Sequence, residues 1–162
     1  MENPLSIYLH DHFAGSGFAV ELLETLANEF PAHETGTVAS AILIEIREDQ
    51  RVLETIIDRV GRGHASLKDA AAWFSEKVSR IKLRHDDPAG IGAFEAFEAL
   101  GLGIMGKFGL WRALSTIAPH DQRLSGYDFA ALAGRAQAQF AKVEEHRLRL
   151  ATPALTARAV RA

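Results

Sequence analysis

The chain has 162 residues and a formal net charge of -3 at neutral pH, with 48% hydrophobic and 24% charged residues. This is the balance of an ordinary globular domain that is long enough to bury its own core. The charge gives no electrostatic reason to expect nucleic acid or an anionic membrane surface as a partner. Because there is no cysteine, disulfides, thiolate metal sites and a cysteine nucleophile are excluded.

The first residues do not read as a signal peptide, because they lack basic residues and the apolar run is soon interrupted at His10, Asp11 and His12. The most apolar window, 99–114, contains two basic residues and is shorter than the roughly 20 residues that cross a bilayer. We therefore expect a cytoplasmic protein that contacts neither membrane nor nucleic acid.

Every long segment has apolar residues at helical spacing, and the alternation typical of strands is absent, which predicts an all-α protein. Asn3 and Pro4 are typical of a helix start, and they predict a first helix that ends before Pro31. A second helix is expected to begin near Thr35 and to end at Gly61, a residue common just after a helix.

Three further helices follow from similar signals. A short third helix is predicted from Ser66 to Arg84, and a fourth from Pro88, capped by Asp87, to Ala118. Asp128, or Ser125 just ahead of it, is expected to cap the fifth, and Pro153 bends or ends it. Two long helices, a short one and two long ones match a four-helix bundle whose short helix lies in the long crossover. We expect residues 1–152 to form the bundle and 153–162 a C-terminal tail.

Two carboxylates stand out in the second helix. At about 100° per residue, Glu45 and Asp49 fall inside the apolar stripe that includes Ile42, Ile46 and Leu53. A carboxylate that faces a core is costly unless another group compensates it. These two residues are therefore the first candidates for a functional site.

Five long segments cover most of the chain: YLHDHFAGSGFAVELLETL, EIREDQRVLETIIDRVG, AAAWFSEKVSRIKL, EALGLGIMGKFGLWRAL and RAQAQFAKVEEHRLRLA. These segments resemble an uncharacterised bacterial helical-bundle family of the ferritin-like superfamily. The resemblance implies a ferritin-like bundle and no particular activity. Ferritin-like di-iron sites use a Glu from each of two helices and a Glu-x-x-His from each of the other two. Here Glu48 stands where the second helix would need histidine, and Arg147 where the fifth would.

The candidate site has two interpretations. Aligning the helices at about 1.5 Å per residue puts side chains from several helices at one level of the bundle. In the first interpretation Arg147 neutralises Glu45 and Glu98 in a buried ion-pair layer, which also includes Asp49. In the second, carboxylates and one imidazole bind iron or manganese. The candidate metal ligands are Glu45, Asp49, Glu98, Glu144 and His12. His12 lies on the core stripe of its helix, and the simpler expectation is a hydrogen bond to a neighbouring carboxylate.

Glycines recur in the predicted fourth helix, where each costs up to about 1 kcal/mol relative to alanine. Gly103, Gly106 and Gly109 follow one another at three-residue spacing. This pattern predicts close packing of another helix, with a narrow pocket for a small apolar ligand as the alternative.

The function that these patterns favour is non-enzymatic: a soluble bundle without a cofactor that acts through self-association or partner binding. The predicted fourth helix is apolar nearly all round, which predicts a homodimer. The alternative is a carboxylate-bridged protein with iron or manganese and an oxidoreductase or metal-storage activity.

Overall fold

The computed structural model describes residues 3–61 and 87–156, and throughout these ranges the regular structure is helical, which confirms the all-α prediction there. No helix within these ranges has both the length and the apolar character of a membrane span. The predicted helix from Ser66 to Arg84 lies outside the described residues. The four long helices are α1 (Pro4–Glu29), α2 (Glu34–Val60), α3 (Ile91–Ile117) and α4 (Phe129–Leu155).

The helix starts follow side-chain capping. The Asn3 side chain accepts a hydrogen bond from the backbone N–H two residues later, and Asp128 accepts one from the N–H three residues later. Both predicted caps are therefore confirmed. At the start of α2 the cap is His33, whose ring nitrogen Nδ1 accepts from the backbone N–H of Thr35 at 3.1 Å. Each cap satisfies a backbone donor that the helix itself leaves without a partner.

The prediction that α3 begins at Pro88 is wrong, because the helix begins at Ile91. Asp87 accepts a side-chain hydrogen bond from the Ala89 N–H at 2.9 Å, and its carbonyl accepts one from the Gly90 N–H at 3.0 Å. These two bonds close a turn ahead of the helix instead of starting it.

Pro153 does not end α4, which continues to Leu155. A proline inside a helix removes one backbone hydrogen bond, and here the helix extends two residues beyond it. Part of the predicted tail, residues 153–155, is thus helical, and residues 157–162 lie outside the described part of the chain.

The helices pack as two pairs, α1 with α2 and α3 with α4, and further contacts join α1 to α3 and α2 to α4. Short connections make the members of each pair antiparallel. The core between the pairs is apolar and draws on all four helices. Its fully buried side chains include Leu23, Ile56, Phe97, Leu114 and Val143.

Hydrogen bonds at the two ends of the bundle define its topology. At one end, the hydroxyl of Thr35, in the first turn of α2, donates to the carbonyl of Pro88, just before α3, at 2.7 Å. At the other end, Arg59, near the end of α2, donates to the carbonyl of Ser125, between α3 and α4, at 3.0 Å. The chain therefore leaves α2 at one end of the bundle and enters α3 at the opposite end.

Candidate functional site

Asp49 is the buried carboxylate of α2, and its side chain is only 1% exposed. Lys107 of α3 places its Nζ 2.5 Å from Asp49 Oδ2, and the Gln139 Nε2 of α4 donates to the same oxygen at 3.0 Å. Lys107 also donates to Gln139 Oε1, so the three polar side chains are mutually hydrogen-bonded across three helices. The prediction that Asp49 faces the core is confirmed, and its compensation comes from Lys107 and Gln139.

Arg135 completes this polar cluster on the solvent side. Its guanidinium nitrogen Nη2 lies 3.0 Å from Asp49 Oδ1 and 3.0 Å from Glu48 Oε2. Asp49 Oδ1 thus has Arg135 as its ion-pair partner. The contact between these two groups does not have the geometry of a hydrogen bond. Two acidic and two basic side chains thus meet, and their formal charges cancel.

The surroundings of Lys107 disfavour its charged form. Burial lowers the pKa of Lys107 from its ordinary value, and the charge and hydrogen bond of Asp49 oppose that shift. The side chain is 14% exposed, so water screens the ammonium poorly. The protonated state of Lys107 therefore depends on the carboxylate of Asp49.

A cavity of about 510 Å³ adjoins the polar cluster between α1, α2 and α3, and both Asp49 and Lys107 lie on its wall. Its size falls within the range of small-molecule sites in proteins. Leu102, one of the lining residues, is 71% exposed, so the cavity reaches the surface. The rest of the wall is mainly apolar and includes Ala19, Ile46, Leu53, Leu100 and Leu110.

Glycines in α3 contribute to this cavity. A Cβ atom added to Gly103, Gly106 or Gly109 would meet no atom of the described residues within 4 Å. Among the described residues, no helix packs closely against these three glycines, so the predicted close packing is not seen there. Gly103 and Gly106 line the cavity, and the binding of a small apolar ligand beside them stays a prediction. Within the described part of the chain, the missing side chains leave open volume beside α3.

The cavity wall also carries isolated polar groups. His12 is half-buried, packs edge-on against Tyr8 with ring centroids 4.7 Å apart, and has its pKa lowered by burial. Its predicted hydrogen bond to a carboxylate is not formed within residues 3–61 and 87–156. Trp111 is fully buried, and its indole Nε1 has no acceptor in the same part of the chain. Gln50 donates to Ser16 at 2.9 Å, so these two groups satisfy each other.

The predicted layer around Arg147 is different in the structure. Arg147 contacts Glu98 at 3.2 Å, as expected, but its second partner is Glu144, with both bonds at 2.7 Å. Glu98 is 55% exposed, and Glu45 is 30% exposed and pairs with Lys142. The expectation that Arg147 neutralises Glu45 in a buried layer is therefore wrong. These long side chains begin at the edge of their helix stripes and extend to solvent.

The candidate metal ligands are spread over separate contacts. Within the described ranges, no three His, Asp or Glu side chains are grouped as a metal site. Glu45, Asp49, Glu98 and Glu144 each have a basic partner, and His12 lies on the cavity wall. Metal binding by these residues stays a prediction from the sequence, without a set of ligands that the described residues bring together.

A second buried polar contact was not predicted. The Thr35 hydroxyl donates to the carbonyl of Pro88, so it accepts from His146 Nε2, which lies 3.1 Å away. The His146 ring packs against Phe97 with centroids 4.6 Å apart, and burial lowers its pKa. The available signal was helical spacing, because His146 lies three residues after the buried Val143 on the inner face of α4.

Comparison with protein-family models, with curated proteins and with solved structures found no match for this chain. Over residues 3–61 and 87–156, the fold and the site define an all-α arrangement of four long helices with a buried polar cluster beside a cavity. Its function must therefore be argued from that geometry.

Proposed function

We propose that this protein is a non-enzymatic, ferritin-like helical bundle that binds a small, mostly apolar molecule in the cavity between α1, α2 and α3. The observation that carries this proposal is the cavity of about 510 Å³ with its mainly apolar wall. Pockets of this size, with few polar groups on an apolar wall, are the usual form of small-molecule sites. The ferritin-like assignment is supported by the two antiparallel helix pairs and by a connection that joins opposite ends of the bundle.

The polar groups support binding over catalysis. Asp49, Lys107 and Gln139 are hydrogen-bonded to one another. A general base or nucleophile needs a reactive atom that can reach the substrate, whereas this cluster uses its atoms to join three helices. Its role in the proposal is to form a rigid polar edge of the cavity.

Two glycines of α3, Gly106 and Gly109, allow a test of this proposal with a matched control. Gly106 lines the cavity and Gly109 does not, yet both have open space beyond the position of a Cβ. A fluorescence titration with the apolar dye N-phenylnaphthylamine is expected to show saturable binding to the native protein. Gly106→Leu would fill part of the cavity and weaken binding by about tenfold or more, whereas Gly109→Leu would leave it unchanged.

Two results would contradict the proposal. One is a native protein that does not bind the dye. The other is equal binding by the Gly106→Leu and Gly109→Leu variants, which would place the dye elsewhere on the surface. Circular dichroism and thermal unfolding of both variants would verify that each is folded.

Self-association is a second proposed property, and the exposed apolar side chains of α3 favour it. The exposures are 71% for Leu102, 40% for Met105, and 38% for both Ile91 and Ile117. At 100° per residue these four side chains lie on one side of α3. Exposed apolar side chains on one face of a helix are typical of an interface between subunits.

We expect sedimentation velocity to show a homodimer at micromolar concentration. Met105→Lys should shift it towards monomer, because a charge placed among these apolar side chains would lose water on association. Ala138→Lys, on an exposed position of α4, serves as the control and should leave the dimer intact. A native monomer at that concentration would refute self-association and would leave the proposed binding of a small molecule in the cavity unaffected.

A further inference from the structure

Three parts of the chain meet around the buried side chain of Thr35 at one end of the bundle. Its hydroxyl donates to the carbonyl of Pro88, ahead of α3, at 2.7 Å, and His146 Nε2 of α4 lies 3.1 Å from the same hydroxyl oxygen. Because the hydroxyl proton is used for Pro88, the Thr35 oxygen can only accept from the ring. The contact therefore requires His146 as the neutral tautomer that has its proton on Nε2.

The other ring nitrogen, His146 Nδ1, is buried and has no hydrogen-bond partner among residues 3–61 and 87–156. The residue is only 2% exposed, and its ring packs against Phe97 of α3 with centroids 4.6 Å apart. Protonation would create an N–H donor at Nδ1 and a positive charge on the buried ring. Both are costly, because a buried donor or charge needs a partner to replace its hydration.

Charged groups on two sides of His146 act on the ring. Glu34, in the first turn of α2, favours a proton on it, whereas Arg149 of α4 and His33 ahead of α2 oppose one. Glu34 is half-exposed and pairs with Arg149, so its charge is shared and screened. From α3, the uncharged Phe97 packs against the ring. Burial is the largest influence and lowers the pKa of His146, so the ring is neutral near pH 7.

We propose that His146 and Thr35 form an acid-sensitive latch, in which the neutral ring holds α4 to the start of α2 and a proton on the ring releases this end of the bundle. To become hydrated, the imidazolium must leave the buried contact, which breaks its bond to Thr35. The release is local, because Asp49 and Lys107 still join α2 to α3 about 20 Å farther along the helix. This inference does not depend on ligand binding in the cavity.

Nuclear magnetic resonance and native-state hydrogen exchange test the latch in the native protein. At pH 7 the nitrogen chemical shifts of the His146 ring are expected to show the proton on Nε2. Backbone amides of α4 near His146 are expected to exchange through a local opening, faster than the most protected amides of the core. After correction for the intrinsic pH dependence of exchange, the population of this open state should rise about tenfold between pH 7 and pH 5.

Two histidine variants identify the group that responds to acid. His146→Gln keeps a donor for Thr35 but cannot titrate, so its local opening should not depend on pH in this range. His33 needs its own variant, because its Nδ1 accepts from the backbone N–H of Thr35 and would lose that bond on protonation. His33→Asn keeps a capping side chain that does not titrate, and it should retain the native pH dependence.

Two threonine variants test the hydroxyl of the latch. Thr35→Val removes the group that joins His146 to Pro88, so it should raise the population of the open state severalfold at pH 7. Thr37→Val is the matched control, because the exposed Thr37 hydroxyl donates to the carbonyl of His33 one turn earlier at 3.3 Å. The control should leave the local opening unchanged.

Different results would overturn the proposal. One is a His146 ring with its proton on Nδ1 at pH 7. Another is exchange near His146 that is as slow as that of the most protected amides, since the contact would then open only when the whole protein unfolds. A pH dependence that persists in His146→Gln, or that disappears in His33→Asn, would assign the acid response to another group. The measurements on the native protein are decisive even if circular dichroism shows that a variant is unfolded.

Discussion

Asp49–Lys107 and Glu45–Lys142 are both carboxylate–lysine pairs that join α2 to another helix, but they lie in different surroundings. In the first pair the side chains are 1% and 14% exposed, and in the second 30% and 54%. Two ions that have lost water depend on each other and on further hydrogen bonds, whereas water and salt screen an exposed pair. A carboxylate–lysine pair thus contributes to structure inside the bundle and contributes little at its surface.

Buried and exposed polar contacts also lie side by side near the start of α2. His146 and Thr35 form a buried polar contact there, and Arg147, the next residue of α4, pairs with Glu144 and Glu98 near solvent. Adjacent positions of one helix therefore belong to different environments. If burial, and not residue type, determines the effect of a substitution, changes to the buried groups should cost more unfolding free energy than changes to the exposed ones.

The largest effect is expected for Lys107→Met. This change leaves the carboxylate of Asp49 buried without its nearest cation, and removing one partner of a buried pair typically costs about 3–5 kcal/mol of unfolding free energy. Arg135 remains 3.0 Å from Asp49, so we expect the lower end of that range. Urea denaturation measures the loss. The matched Lys142→Met variant should lose less than about 1 kcal/mol.

Similar losses of unfolding free energy in Lys107→Met and Lys142→Met would contradict the conclusion that burial determines the contribution of a carboxylate–lysine pair. A further variant separates lost charge from lost packing: Asp49→Leu, Lys107→Met and Gln139→Leu together replace all three polar side chains by apolar ones. Because no buried polar group of this cluster is then left unpaired, the triple variant should recover much of the stability that Lys107→Met loses.

An intermediate effect is expected from pH. The pKa of His146 is lowered mainly by burial and also by Arg149 and His33, while Glu34 opposes the shift. As pH falls below the ordinary value of 6.5, the unfolded chain binds a proton before the folded protein does. The unfolding free energy should therefore decrease between pH 6.5 and the folded pKa, at up to about 1.4 kcal/mol per pH unit.

Thermal or urea unfolding at a series of pH values measures this slope. His146→Gln keeps a donor for Thr35 but cannot titrate, so its slope should be smaller than that of the native protein. His12, whose pKa burial also lowers, accounts for part of the slope that remains. An unchanged slope in His146→Gln would refute the assignment.

The smallest effect is expected for Arg147→Met. The guanidinium is 20% exposed, binds Glu144 in a bidentate manner and lies 5.1 Å from the centre of the Phe94 ring. Methionine can keep the contact with Phe94, so the loss of ion pairs near solvent should cost about 1 kcal/mol or less. Raising the salt concentration should narrow the difference between native and variant in urea denaturation. A loss as large as that of Lys107→Met would mean that Arg147 holds buried carboxylates after all.

Several features of this protein follow from local rules. Apolar residues at helical spacing predicted the four described helices, and Asn3 and Asp128 marked two of their starts. The start of α3 could not be predicted in this way, because Asp87 and Pro88 suit a turn as well as a helix cap. The distinction depends on the hydrogen bonds of Asp87 with Ala89 and Gly90, which close the turn.

The candidate site was predictable in part. Helical periodicity placed Asp49 in the core, because its neighbours one turn away on the same face are apolar. The same argument failed for Glu45, whose longer side chain reaches solvent from the edge of the stripe. Nothing in the local sequence connects Asp49 with Lys107, which stands 58 positions later in an apolar segment. Its partner becomes evident only when α2 and α3 lie side by side.

The amino-acid sequence by itself determined that the described part of the chain is helical, where most of its helices begin and end, and that two carboxylates of α2, Glu45 and Asp49, lie in or beside the apolar stripe. These properties depend on neighbours within one or two helical turns. The tertiary structure alone decided that Lys107 and Gln139 compensate Asp49, that Arg147 lies near solvent, and that Gly103 and Gly106 border a cavity. Each of these depends on how three helices are placed in space, and a pattern along one helix does not contain that information.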